Sequence, residues 1–207
     1  MTGFCKDYLS SARHDALTIY DLGSMDVNGS YRPIFENPNW RYIGIDMAPG
    51  PNVDVVLGNP YRWREIAGRS ADVLISGQAF EHIEYFWITM LEVARVLKPG
   101  GFCCIIAPSG GPEHRYPVDC WRFYRDGAAA MAKFARIKVL DIAVHEPRGG
   151  YPDLSDRWCD TMLVGQAYRL KPMFALRQRL WRYLMHRVLT YRLPAAGQNT
   201  EVRHSGH

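Results

Sequence analysis

No apolar run in the 207 residues approaches the roughly 18 that a membrane-spanning helix needs. The opening stretch MTGFCKDYLSSARHD lacks the basic-then-apolar pattern of a secretion signal. Five cysteines, an odd number with no CxxC pair, give no disulfide framework and point to free thiols in a reducing compartment. Cys103 and Cys104 are adjacent in an apolar run, so as strand residues they would face opposite sides, as small core residues rather than ligands. There is no internal repeat, no low-complexity tract and no GxGxxG, the turn that a pyrophosphate-bearing dinucleotide requires. Acidic residues are missing from 171–192, which holds six Lys and Arg, whereas residues 1–170 hold 18 Lys and Arg against 20 Asp and Glu. The formal charge of +4 is therefore a property of the C-terminal stretch, and nothing in the body marks a nucleic-acid groove.

What is present is a core-forming composition, 47% hydrophobic and 13% aromatic, enough for one domain with a small appendage. Leu17 to Asp46 organises it. An apolar run from Leu17 to Tyr20 stops at Asp21; a small-residue segment with Gly23, Ser24, Asn28 and Gly29 follows; a second run, Trp40 to Ile45, stops at Asp46. Strand, glycine turn, short helix, strand and terminal acid form the opening βαβ unit of a nucleotide-type fold. The turn lets a ligand approach backbone, and an acid at the second strand tip suits the two donors of a ribose diol. Met25 and Val27 stand where a dinucleotide fold wants glycine, so a nucleoside with an amino-acid arm, S-adenosylmethionine, fits better.

Along the chain, 30–36 reads as a short helix ended by Asn37-Pro38-Asn39, Val53 to Leu57 as a third strand, Tyr61 to Ala67 as a helix, and Asp72 to Ser76 as a fourth strand. Apolar residues at Phe86, Met90, Leu91, Val93, Ala94 and Leu97 repeat at helical period, stopped by Lys98-Pro99-Gly100-Gly101. Phe102 to Ala107 reads as a strand buried on both faces. Asp126 is the expected N-cap of a helix through Phe134, and Ile137 to His145 and Asp160 to Tyr168 are the last strands.

Four motifs in order carry a family likeness: DLGSMDVNGSYRPIF, YIGIDMAPGPNVDVV, ADVLISGQAFEHI and LEVARVLKPGGFCCIIAP. The chain resembles the class I S-adenosylmethionine-dependent methyltransferases, particularly the type-11-like bacterial group, over about 17–168. It departs from them at Met25, where the turn usually has its second glycine. The resemblance implies a Rossmann-like, doubly wound α/β sheet of order 3-2-1-4-5-7-6 with strand 7 antiparallel, and a cofactor site where the strand order reverses. It implies that Asp21 sits near the ammonium, Gly23 lines the methionine arm, Asp46 binds the ribose hydroxyls, Asn59 lies near the adenine and Ser76 or Gln78 neighbours the sulfonium, with Ser24, Met47 and Gly58 at the same strand ends as cofactor-binding candidates. Plainer roles stand beside these: Asp21 capping a turn, Asp46 a surface strand end, Asn59-Pro60 a simple turn, Glu81 answering a helix dipole.

The acceptor end is expected in the loops after strands 4 and 5. His82 and His114 are the candidate bases, with Arg115, Tyr116, Asp119, Trp121 and Arg122 as an acceptor pocket, or as a lid held by its own hydrogen bonds. The segment is similar to an HRYPVDxWRF element of polysaccharide-linked members. Glu113, His114 and Asp119 have metal-capable side chains, but their loop spacing fixes no ligand geometry and no metal is expected. The expected organisation is a methyltransferase domain over 1–170, a basic amphipathic helix over 171–193 and a disordered tail over 194–207. That helix suits an anionic membrane surface, a neighbouring subunit or its own domain. The resulting expectation is a cytoplasmic enzyme, with or without contact to the inner membrane face. It methylates a hydroxyl of a small molecule or sugar, in polysaccharide or natural-product biosynthesis. A nicotinamide-dependent oxidoreductase and a non-catalytic binding module are the competing classes.

Overall fold

The computed structural model describes residues 1–145, 155–168 and 172–189. Its centre is a seven-stranded sheet in the order β3-β2-β1-β4-β5-β7-β6. The strands are β1 (Leu17–Leu22), β2 (Trp40–Asp46), β3 (Val55–Val56), β4 (Ala71–Gly77), β5 (Leu97–Ala107), β6 (Ile137–Val144) and β7 (Thr161–Ala167). The first five run parallel, and β7 runs antiparallel to both β5 and β6, as expected.

Each face of the sheet has its own core, because side chains alternate along a strand. Tyr20, Leu22, Leu74, Cys103 and Ile105 face α2 (Phe86–Val96) and α3 (Arg125–Phe134), where Met90, Val93 and Ala132 are buried. Ile19, Val73, Ile75 and Cys104 face α1 (Thr2–Leu9) and the turn Arg32–Phe35, with Phe4, Leu9 and Phe35 buried. Cys103 and Cys104 are therefore both fully buried, on opposite faces, and are free thiols.

Several local expectations need correction. Tyr61–Ala67 is not a helix but a run of turns pinned from outside. Arg95 donates to the carbonyls of Trp63 and Ile66, and the Trp63 N–H donates to buried Glu92. Those bonds fix the backbone groups that a helix would have paired internally. Residues 30–36 form only one 3-10 turn, Arg32–Phe35. The third strand shrinks to two residues, which is all that pairs with β2. Lys98-Pro99-Gly100-Gly101 ends α2 but belongs to β5, which regains register with β4 through an irregularity. Tyr124, not Asp126, is the N-cap of α3; Asp126 lies in the first turn, where its charge suits the dipole.

The basic helix forms as α4 (Pro172–Leu189) and meets α2 through His186 and Glu92, 3.1 Å apart. Leu176, Leu180, Leu184 and Val188, at fourfold spacing, are exposed. No described helix is long and apolar enough to cross a membrane. The tail 194–207 and Tyr191 lie outside the described residues.

Candidate active site

The order of the sheet reverses between β1 and β4, so a crevice opens at their carboxyl ends. The glycine turn forms one wall. Gly23 has φ +77, and a Cβ there would overlap the Ala79 side chain in the loop after β4. Both conformation and space require glycine. Ser24 is buried and tied to the loop after β2: its Oγ donates to the Asn52 carbonyl at 3.1 Å and the Asn52 amide donates back at 2.8 Å.

Asp46, half-buried at the tip of β2, accepts three backbone N–H groups. Met25 reaches Oδ2 at 3.0 Å, and Met47 and Ala48 reach Oδ1 at 2.6 and 3.3 Å. A carboxylate has about four lone-pair sites. One on Oδ2 is left for a hydroxyl, while the other three brace the two loops. Met47 itself is exposed.

Asp21, on the other side of the turn, is buried and accepts the Tyr42 phenol. Burial pushes its carboxyl up to about 6, against the Tyr42 hydrogen bond and the Arg32 charge, which lower it. Ser76 is buried and its hydroxyl is spent on the Leu22 carbonyl at 2.8 Å, clamping β4 to β1. Gln78, at φ +55, donates to Asp160 at 2.7 Å. Gly58 and Asn59 lie after β3; Gly58 donates to Glu65 at 3.2 Å and the Asn59 carbonyl accepts the Tyr61 N–H at 2.8 Å, leaving the amide NH2 free of that turn. The plainer roles of Asp46 and Asn59 thus coexist with any role toward a ligand, and the Ser76 hydroxyl is engaged with the backbone.

Sequence reasoning missed Tyr31. Its ring lies over Gly77, where a Cβ would overlap it. Burial pushes its phenol up to about 12, helped by the carboxylates of Asp21, Asp160 and Glu81. Tyr31 therefore sits between the glycine-turn end of the crevice and a second cluster beyond it.

That cluster joins His82 and His114, their ring centroids 4.8 Å apart. Parallel neighbours β4 and β5 end at the same edge, so loops distant in sequence converge there. His82 Nδ1 lies 2.5 Å from the Val118 carbonyl, which can only accept, so Nδ1 carries the proton and Nε2 the lone pair. Burial lowers the His82 pKa, which keeps the ring neutral. His114 packs on Trp158, 4.5 Å between centroids, with Nδ1 3.3 Å from the Asp119 carboxylate.

Glu81 is the second residue that sequence reasoning passed over. It is fully buried, and neither carboxyl oxygen has a hydrogen-bond partner among the described residues. Burial pushes it up to about 7. Its backbone carbonyl accepts the N–H groups of Cys120 and Trp121, so the segment after β5 lies directly over it.

The five residues expected to form an acceptor pocket divide. Asp119 and Arg122 form a two-pronged ion pair at 2.6 and 2.8 Å, which holds the Asp119 carboxyl well below its usual range. Arg122 also donates to the carbonyls of Trp121 and Pro112. Trp121 shares its indole N–H between Ile83 and Glu84 and packs edge-on against Phe86 and Trp87. These three fasten the segment. Arg115 pairs with Glu113, and it and Tyr116 are exposed. Of the trio Glu113, His114 and Asp119, the last two are neighbours, and each acid is paired with an arginine.

Two cavities lie away from this crevice. One, of about 460 Å³, is bounded by Asp26, Ser30, Arg32, Asn52 and Asp54. The other, of about 680 Å³, separates α4 from the Trp63 segment and α2.

Residues 21–105 match a family profile described as a methyltransferase domain. A relative from Mycobacterium avium (strain 104), named an uncharacterized methyltransferase, is 28% identical over 134 residues, 58% of this chain and 50% of its own length. The chain thus spans about half the length of that curated relative. Among solved structures, the 1,6-didemethyltoxoflavin-N1-methyltransferase of Burkholderia thailandensis, which has 1,6-didemethyltoxoflavin and S-adenosylhomocysteine bound, shares the fold with a TM-score of 0.60. It is 12% identical, over 81% of this chain and 78% of that one. The [4+2]-cyclase SpnF does so with a TM-score of 0.57 at 14% identity, over 74% of this chain and 75% of that one. Likeness at such identity speaks to fold alone, and the cyclase shows that the fold hosts more than one reaction. The chain has the fold and strand order of these solved structures, and its residues 21–105 resemble a methyltransferase domain.

Proposed function

We propose that this protein transfers a methyl group from S-adenosylmethionine to a hydroxyl of a small molecule or sugar. The observation that carries the reading is the pairing, at the point where the sheet reverses, of a glycine turn that admits no side chain with an acid at the tip of β2. The residues fit the cofactor. Asp46 keeps one acceptor site for a ribose hydroxyl, and Asp21 is a buried carboxyl without a cationic hydrogen-bond partner among the described residues, suited to an ammonium. Bound there, S-adenosylmethionine supplies an electrophilic methyl on a sulfonium: the acceptor oxygen gains CH3 and loses its proton, and S-adenosylhomocysteine remains.

The chain's own task is then to position the acceptor and ease loss of that proton. His82 and His114 stand at the acceptor end, and the neutral imidazole of His82 offers a lone pair at Nε2. Tyr31 partitions that end from the glycine turn. A hydroxyl acceptor gives up its proton as the methyl arrives, and the imidazoles at the acceptor end can take it. The type-11-like affiliation and a glycan-precursor acceptor belong to this proposal. So does a peripheral role for α4, whose exposed Leu176, Leu180, Leu184 and Val188 and basic residues suit an anionic surface.

The test is transfer of isotopically labelled methyl from S-adenosylmethionine to a panel of hydroxylated acceptors. His82→Ala and His114→Ala should each lower turnover by about 10²-fold or more, as loss of a proton-handling group does, with S-adenosylhomocysteine affinity kept. Full turnover in both variants on a true acceptor removes the two histidines from the reaction.

A further inference from the structure

We infer that Glu81, His82 and His114 form a binding site for a divalent transition-metal ion at the acceptor end of the crevice. One ligand atom from each lies within 4.8 Å of the others. Metal–ligand bonds of about 2.0–2.2 Å put neighbouring ligand atoms about 3–3.5 Å apart. Glu81 Oε1 and His82 Nε2 are 3.7 Å apart, so small side-chain rotations close the set.

Two features point to a ligand, and a third concerns how the site is held. First, Glu81 is fully buried with both oxygens unpartnered among the described residues, and its Oε1 faces the lone pair of His82. A buried carboxyl in that condition costs folding free energy unless something else completes it. Second, His114 Nδ1 is buried with no hydrogen-bond partner among the described residues, although the Asp119 carboxylate is 3.3 Å away, and His82 Nδ1 is backed by the Val118 carbonyl. A backing oxygen of this kind fixes the tautomer and orientation of metal-ligating histidines. Third, the Asp119 carboxylate, locked by Arg122, accepts the backbone N–H of His114 at 2.7 Å, which holds the chain that carries the ring.

Two imidazoles and one carboxylate suit zinc, cobalt, manganese or iron in preference to magnesium or calcium, and three protein ligands leave coordination positions open. The site departs from the expectation that no metal is involved, which weighed Glu113 and Asp119 as the acids. The metal site stands on this geometry alone. Its use, holding an acceptor hydroxyl and lowering its pKa, rests on the methyl-transfer reading, and with the ion bound the two histidines serve as ligands in place of bases.

The experiment uses untagged full-length protein, stripped with chelator and titrated with Co²⁺. Uptake is followed by visible absorption and by metal analysis, alongside calorimetry with S-adenosylhomocysteine and circular dichroism. Expected is one equivalent of Co²⁺ with a visible ligand-field band. Glu81→Gln and His114→Asn, both near in shape to the originals, should each weaken uptake at least tenfold while S-adenosylhomocysteine affinity stays within twofold. Folded wild-type protein that takes up no Co²⁺, or variants that take it up as the wild type does, would overturn the metal site. Uptake lost in the variants but with no S-adenosylhomocysteine bound by any form would support the metal site while refuting the methyl-transfer reading.

Discussion

Replacing Asp21 by asparagine should make the protein more resistant to unfolding at high pH relative to low pH. Asp21 is buried at the end of β1, and burial raises its carboxyl from about 4 to about 6. A folded-state pKa above the unfolded value means that the folded protein holds the extra proton between these limits. Stability is therefore lost as pH rises from about 4 through about 6, and the loss is complete by neutrality. The gap corresponds to about 3 kcal/mol, of which about 2 kcal/mol is lost above pH 4.5. Asparagine does not titrate, and its carbonyl still accepts the Tyr42 phenol. Its buried NH2 costs about 1–3 kcal/mol, but this cost is the same at every pH. Urea unfolding of both forms from pH 4.5 to 8 isolates the effect. The stability difference, asparagine form minus wild type, should grow by about 2 kcal/mol across that range. Saturating S-adenosylhomocysteine should shrink the growth, because an ammonium beside Asp21 favours the ionised carboxylate. A difference constant within about 0.5 kcal/mol would refute the argument that burial governs Asp21.

Gly23→Ala combines a left-handed backbone with overlap on Ala79, and should cost about 2–4 kcal/mol and abolish S-adenosylhomocysteine binding, read by thermal melts and calorimetry. Glu92 is buried, with Arg95, His186 and the Trp63 N–H donating to it; burial alone would raise its pKa, but those bonds hold it below the ordinary value. Glu92→Ala leaves Arg95 without its carboxylate and should cost about 3–5 kcal/mol, with hydrogen exchange rising across the described part of α4 before the sheet. Unchanged exchange in α4 would show that the helix is held by other contacts.

The glycine turn and the first strands were legible because they depend on local patterns, whereas the strand order came from the family resemblance. Apolar runs of the right length, separated by turn residues and ended by Asp21 and Asp46, encode a strand and its tip within a few positions. The meeting of His82 with His114 was legible as soon as two adjacent strands were known to end at one edge. What lay hidden depends on contacts between distant segments. An acid at the start of a turn looks like an answer to a helix dipole, and nothing near Glu81 in sequence says that the segment after β5 will cover it. Tyr31 reads as one more aromatic until β4 brings Gly77 beneath it. Arg122 looked like a clamp for an acceptor, yet its donors go to Asp119, Trp121 and Pro112. The 61–67 stretch has helical composition, but Arg95 and Glu92 claim its backbone groups first.

The central claim is that the tips of β1 and β2 hold S-adenosylmethionine, and calorimetry with S-adenosylhomocysteine on wild type and Asp46→Ala tests it most directly. A hydrogen bond to a charged group contributes about 1.5–3 kcal/mol, so the account predicts binding by the wild type and affinity about 10- to 100-fold weaker in the variant, with the fold kept by circular dichroism. Equal affinity in the two, or a folded wild type that binds no S-adenosylhomocysteine, would contradict it.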